Sequence, residues 1–127
     1  MPETLLKPKH YKELKIWQKG MALVKDIYRL TETFPASEKY GLASQLRRAA
    51  VSVPSNIAEG QARSGTGEFL QFLSHASGSL AELETQMLLS IELRYCNSVG
   101  AGPILQQIME IQKMLAVIRK KLSASSH

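Results

Sequence analysis

The sequence predicts an all-α fold, an up-down-up-down antiparallel four-helix bundle forming one domain over residues 1–127. Three observations predict it. Apolar residues recur at alternating steps of four and three in four separate stretches, the period of a helix with one buried face. Short segments rich in Gly, Pro and Ser divide those stretches, and short connections make consecutive helices antiparallel neighbours. No strand-type alternation competes with the helical period. The helices are expected at about 12–32, 37–62, 67–95 and 103–122.

The first eleven residues include Pro2 and Pro8, show no helical period, and read as an extended lead-in. The first helix carries two apolar stripes. One is Trp17, Met21, Val24, Tyr28 and Thr31; the other, one residue earlier, is Ile16, Gly20, Leu23, Ile27 and Leu30. Two stripes make a face wider than one bundle core needs. The first is expected to face the core and the second to be surplus, because extra apolar area usually marks an interface. Phe34-Pro35 closes the helix, since the residue before proline is pushed out of helical geometry.

Ser37 reads as the N-cap of the second helix, with Leu42, Leu46, Ala49 and Val53 as its core stripe. Pro54 then falls where the helix continues. It has no N–H for the Ala50 carbonyl and is expected to kink the helix, with Ser52, Ser55 and Asn56 near enough to satisfy freed backbone groups. Ser64 to Gly67 is a loop, and Thr66 reads as the cap of the third helix. That helix repeats Phe69, Leu73, Ala76, Leu80, Leu83 and Met87. Its small middle, Ala76-Ser77-Gly78-Ser79, is expected to admit a neighbouring helix closely, offsetting the roughly 1 kcal/mol of helix propensity that Gly78 loses. Leu88, Leu89 and Ile91 add apolar surface off the stripe. Asn97 to Gly102 reads as a turn, with Pro103 at the first position of the fourth helix. There Ile104, Ile108, Ile111, Leu115, Ile118 and Leu122 form the stripe, and Ser123 to His127 a frayed tail.

The chain has 127 residues, 44% of them hydrophobic, and a net charge of +5 that is unevenly spread. Residues 66–96 hold Arg94 alone against Glu68, Glu82, Glu84 and Glu92, whereas the other three segments are basic. An acidic third helix among basic ones favours their packing and leaves basic surface elsewhere, which can attract nucleic acid or an acidic partner. No apolar run approaches the ~20 residues that span a bilayer, and no signal-peptide apolar region opens the chain. Cys96 is a single cysteine, as expected in a reducing compartment, so the chain is expected to be cytoplasmic with no membrane partner.

Several motifs carry a resemblance. Leu14-Lys15-Ile16-Trp17-Gln18-Lys19, Tyr40-Gly41-Leu42, Gln45 through Ser52, and Pro54 through Gly60 stand in order. Phe69, Phe72-Leu73, Ala76 through Ser79 and Glu82 through Gln86 complete it. The chain resembles the four-helix-bundle family of the 23S rRNA intervening sequences, closely over about residues 12–96 and in pattern alone thereafter. The resemblance implies a small bacterial cytosolic protein that forms a homopentamer. It is also similar to the accessory variability determinant of diversity-generating retroelements, a basic pentameric barrel that binds nucleic acid and a reverse transcriptase.

Candidate site residues follow from charge and position. Arg47 and Arg48 lie off the core stripe and read two ways: as phosphate contacts, or as ion-pair partners of Glu59, Glu82 or Glu84. Asn56, Glu59 and Arg63 border the Pro54 turn and the helix end. The oligomer-interface candidates are Ile16, Leu23, Ile27, Leu30, Leu88 and Leu89. Enzymatic readings fail on spacing. A di-metal carboxylate bundle needs Glu-x-x-His twice, yet His75 is the sole helical histidine and residue 72 is Phe, so no metal and no cofactor are expected. Gly60 to Thr66 has the glycine spacing of a phosphate loop without its lysine or preceding strand. Cys96 has no nearby histidine to act as a base, and Trp17 and Tyr28 read as packing residues.

The expected function is therefore non-catalytic. Either the chain is an oligomeric scaffold that binds RNA, DNA or a nucleoprotein through basic surface, or it is a protein-interaction module whose arginines serve the fold and the assembly.

Overall fold

A computed structural model describes residues 10–125, so the expected lead-in falls mostly outside the described residues, as do Ser126 and His127 of the expected tail. Four α-helices are present: α1 Lys15–Thr31, α2 Leu42–Ala62, α3 Thr66–Glu92 and α4 Ser98–Ser125. Short 3-10 turns at Tyr11–Glu13 and Ala36–Glu38 precede α1 and α2. Among the described residues there is no strand, and no helix is long and apolar enough to cross a membrane. Each helix packs on its sequence neighbours, and α4 closes the ring on α1. Cross-helix contacts run in opposite directions along each pair. Lys19 meets Glu110 and Asp26 meets Gln107 between α1 and α4, and Ser52 meets Ser79 where α2 passes α3.

The helix starts follow local chemistry that shifts the expected boundaries. α2 begins at Leu42, later than the expected Ser37 cap, because the Glu38 carboxylate accepts the Leu42 N–H at 2.9 Å. Gly41 makes room for this reach, since a Cβ there would lie 2.6 Å from Glu38 Oε1. α4 begins at Ser98, earlier than expected. Asn97 Oδ1 accepts the Gly100 N–H at 2.8 Å, so the expected turn is the capped first turn of the helix. Pro103 is thus inside α4, on an exposed position, and the helix runs on to Ser125. α3 ends in a Schellman motif: the Tyr95 N–H donates to the Ser90 carbonyl and Arg94 N–H to that of Ile91. Arg94 is the residue forced into the left-handed region, with φ 64°.

The core reverses the expected roles of the two α1 stripes. Ile16, Leu23 and Ile27 are fully buried within the single chain, while Met21 and Tyr28 are about 40% exposed. Ile16, Leu23 and Ile27 are therefore core residues and not surplus interface; Leu30 is half-buried against the core. The exposed apolar surface of α1 is Met21 and Tyr28 of the other stripe, whereas its Trp17 and Val24 pack partly buried against the core and its Thr31 is buried. The cause is the approach of α2. Pro54 is buried inside a continuous α2, and a Cβ added at Gly20 would meet its ring carbons at 3.3 and 3.4 Å. That contact turns the Gly20 face inward. Asn56 donates to the Ser52 carbonyl at 2.8 Å, not to that of Ala50.

Two glycines on the α2–α3 side behave oppositely. Gly60 is buried where a Cβ would lie 2.6 Å from Phe72 Cβ and 3.1 Å from a Phe69 ring carbon. Gly78, expected at a close helix approach, has nothing within 4 Å of a built Cβ. Gly60→Ala should therefore cost about 1–3 kcal/mol through overpacking. Gly78→Ala should gain about 0.5–1 kcal/mol of helix propensity. Urea unfolding of both variants checks the opposite signs. By the same method, Arg94→Gly should stabilise the chain by about 1 kcal/mol, by relieving the left-handed arginine.

Candidate functional site

The site is built from the C-terminal end of α1, the turn before α2, and the first turns of α2. The α1 end needs partners for its last carbonyls. Arg47, in the second turn of α2, reaches this end: Nε donates to Thr31 Oγ1 at 2.8 Å, and a terminal nitrogen donates at 3.4 Å to the Tyr28 carbonyl, which also accepts the Glu32 N–H. Thr31 Oγ1 in turn donates to the Ile27 carbonyl at 2.7 Å. The Arg47 guanidinium also lies 4.5 Å from the Tyr28 ring centroid, a cation–π contact. A cation here also complements the α1 dipole. Arg47 therefore serves α1 and makes no ion pair with α3; α2 carries it away from the acidic helix.

Arg48, one residue on, is turned differently. It is exposed, and among the described residues it makes no hydrogen bond or ion pair. It lines a shallow hollow of about 410 Å³ together with Tyr28, Lys39, Tyr40, Ser44, Arg47 and Val51. Tyr40 is 88% exposed, and Lys39 Nζ sits 5.5 Å from its ring centroid. Three cations and two accessible rings thus share one face. Sequence reasoning missed the aromatic half of this site: Tyr28 reads as core from its stripe, and Tyr40 enters only within the Tyr40-Gly41-Leu42 motif, with no binding role attached. The detectable signal is the Lys39-Tyr40 pair in the turn before α2, eight residues before Arg47-Arg48.

Arg48 also lines a second groove, of about 470 Å³, between α2 and α3, with Gln45, Ala49, Ser52, Glu82 and Gln86. Glu82 shares this groove with Arg48 yet is not paired with it, and among the described residues neither Arg47 nor Arg48 pairs with Glu59, Glu82 or Glu84. Ser52 Oγ is engaged, at 2.7 Å from Ser79 Oγ and 2.9 Å from the Asn56 amide that donates to it.

The other candidates lie apart. Glu59 pairs with Arg63 at 3.2 Å, both about half exposed, which contributes little in solvent. Arg63 also covers the Phe72 ring at 5.1 Å. Glu84 is exposed away from both hollows, and Leu88 and Leu89 are 50% and 44% exposed. Burial pushes the Cys96 thiol upward, away from the reactive thiolate. Among the described residues no group of three or more His, Cys, Asp or Glu side chains is placed to hold a metal ion.

A family model described as 23S rRNA-intervening sequence protein matches residues 12–117. Among solved structures, the chain is similar to a protein of unknown function from the S23 ribosomal protein family of Bacteroides thetaiotaomicron VPI-5482. The two are 23% identical with a TM-score of 0.77, and the likeness covers 83% of this chain and 98% of that one. A search of curated proteins finds no match.

The two adjacent arginines should separate in stability measurements. Arg47→Ala should cost about 1–2 kcal/mol, from a charge-assisted hydrogen bond and a cation–π contact. Arg48→Ala should stay within about 0.5 kcal/mol of the parent. Urea midpoints at constant slope check the difference.

Proposed function

The chain belongs to the 23S rRNA-intervening sequence protein family, and from that premise we propose a non-catalytic, homo-oligomeric scaffold that binds single-stranded nucleic acid. The carrying observation is the face that holds Lys39, Arg47 and Arg48 beside the exposed ring of Tyr40, with the half-exposed Tyr28 under Arg47. Phosphates are drawn to the cations, and unstacked bases find π-faces within reach; sequence-tolerant single-strand binding combines these two contacts. A net charge of +5 adds long-range attraction. Among the described residues Arg48 has no anionic partner, so its charge is available to this face rather than spent on the fold.

Self-association is supported by a different observation. Met21, Val51, Leu88, Leu89, Leu93 and Met109 are large apolar side chains at 39–54% exposure. Burying such surface favours association. Five chains is the number implied by the family resemblance, in a bacterial cytoplasm. The second reading, a protein-interaction module without nucleic acid, rests on the same leucines.

Fluorescence anisotropy with labelled single-stranded RNA tests the binding reading. Two phosphate contacts per protomer, from Lys39 and Arg48, predict a slope of log K against log salt of about −1.4. The Lys39→Ala, Arg48→Ala double variant should bring that slope close to zero. Tyr40→Ala should weaken binding by about 1–3 kcal/mol at every salt concentration. Salt-independent binding, or none at low salt, would overturn the reading. Native mass spectrometry of the same sample reads the number of chains.

A further inference from the structure

The turn that presents Lys39 and Tyr40 has little of its own to hold it. Over residues 35–40 no side chain is buried, and only Glu38 is partly covered. The backbone bonds within the turn are local: the Glu38 N–H donates to the Pro35 carbonyl at 2.8 Å and the Lys39 N–H to that of Ala36 at 3.1 Å. A segment with so few buried contacts opens readily while the rest of the fold stays intact. Among the described residues, the side-chain hydrogen bonds that tie residues 35–41 to other elements are both made by the Glu38 carboxylate.

Its Oε1 accepts the Leu42 N–H at 2.9 Å, which fixes the turn to the start of α2. Its Oε2 accepts the Tyr95 hydroxyl at 3.2 Å, from fifty-seven positions along the chain. Tyr95 is itself anchored. Its N–H donates to the Ser90 carbonyl at 2.9 Å where α3 ends, and its ring lies 5.6 Å from that of Phe34, the buried residue just before the turn. The segment between α3 and α4 thus supports the turn, although Tyr95 does not line the cation–aromatic hollow. A carboxylate next to Lys39 also works against phosphate attraction. Charge therefore does not account for Glu38 at this face, whereas its hydrogen bonds do.

Resting on the single-strand reading above, we infer that Glu38 and Tyr95 are positioning residues for the strand-binding face. The Tyr95 hydroxyl, acting through the Glu38 carboxylate, holds the turn so that the Tyr40 ring stands beside Lys39 as a stacking platform. When the turn is released, affinity falls by the fraction of time the platform is in place.

Fluorescence anisotropy of the full chain with labelled single-stranded RNA tests the inference, because geometry and charge make opposite demands. Tyr95→Phe removes the hydroxyl and keeps the ring against Phe34. It should weaken binding about fivefold, as a platform in place about a fifth of the time requires. In a Tyr40→Ala background the same change should have no further effect, and in an Arg48→Ala background it should keep its full effect. Glu38→Ala removes a negative charge, which by charge alone tightens binding; loss of the support predicts weaker binding. Glu38→Gln keeps an acceptor for the Leu42 N–H and an amide to bond the Tyr95 oxygen, and should bind at least as tightly as the parent. Trypsin cleavage after Lys39, read by mass as the fragment beginning at Tyr40, follows the turn without RNA and should be several-fold faster in Tyr95→Phe. Parent-like affinity or parent-like cleavage in Tyr95→Phe, or tighter binding by Glu38→Ala, would overturn the positioning role and leave the single-strand reading standing. So would a Tyr95→Phe deficit that persists in full without the Tyr40 ring. No binding by the parent at low salt would overturn the single-strand reading and the positioning role with it.

Discussion

The structure depends on how closely α2 approaches the helices on either side. On one side Gly20 of α1 receives the Pro54 ring; on the other, Gly60 of α2 lies against Phe69 and Phe72 of α3. Each contact needs a missing Cβ on one partner. Together they fix the rotation of α2, and that rotation decides what its polar residues meet. Arg47 is delivered to the end of α1, while Arg48 emerges between two hollows. Two adjacent residues of the same type thus divide between holding the fold and facing outward.

Pro54 shows how a helix-breaking residue can be used for packing. Its missing N–H leaves one carbonyl a turn earlier without the usual donor, while its ring supplies a compact apolar surface that Gly20 can touch. The nearby polar residues do a different job. Asn56 bonds to Ser52, and Ser52 reaches across to Ser79, so their effect is to join α2 to α3.

The four helices were legible because each carries a long run at helical period, and α3 and α4 each have a single apolar stripe that leaves little choice of face. α1 was legible as a helix and misleading as a surface. Its two stripes differ by one residue and are both apolar, so hydropathy alone does not choose between them. The choice is made by Gly20, whose role needs Pro54 from thirty-four positions away. The same limit applies to the site. Arg47 and Arg48 stand out as a charged pair, yet their different duties depend on where α1 ends in space. Gln86 reads as an ordinary helix-surface glutamine, four residues after Glu82. Its burial follows from the approach of α2 and leaves no trace in local pattern. Boundaries failed where a side chain reached several residues along the chain, as Glu38 does to Leu42.

Ser77 and Ser79 flank Gly78 on α3 and are bonded to different neighbours. Ser79 meets Ser52 of α2, and Ser77 donates to Gln112 of α4 while its carbonyl accepts from the same amide. Apolar stripes alone tolerate sliding, because leucines and isoleucines one turn apart present similar surface. A slip of one turn, about 5.4 Å, would separate Ser79 from Ser52 and set Ser77 opposite Ile108 or Ala116 in place of Gln112. One short segment therefore sets the longitudinal alignment of three helices at once. In kinetic terms, it gives a collapsing chain a penalty against misaligned dockings that hydrophobic burial would otherwise reward.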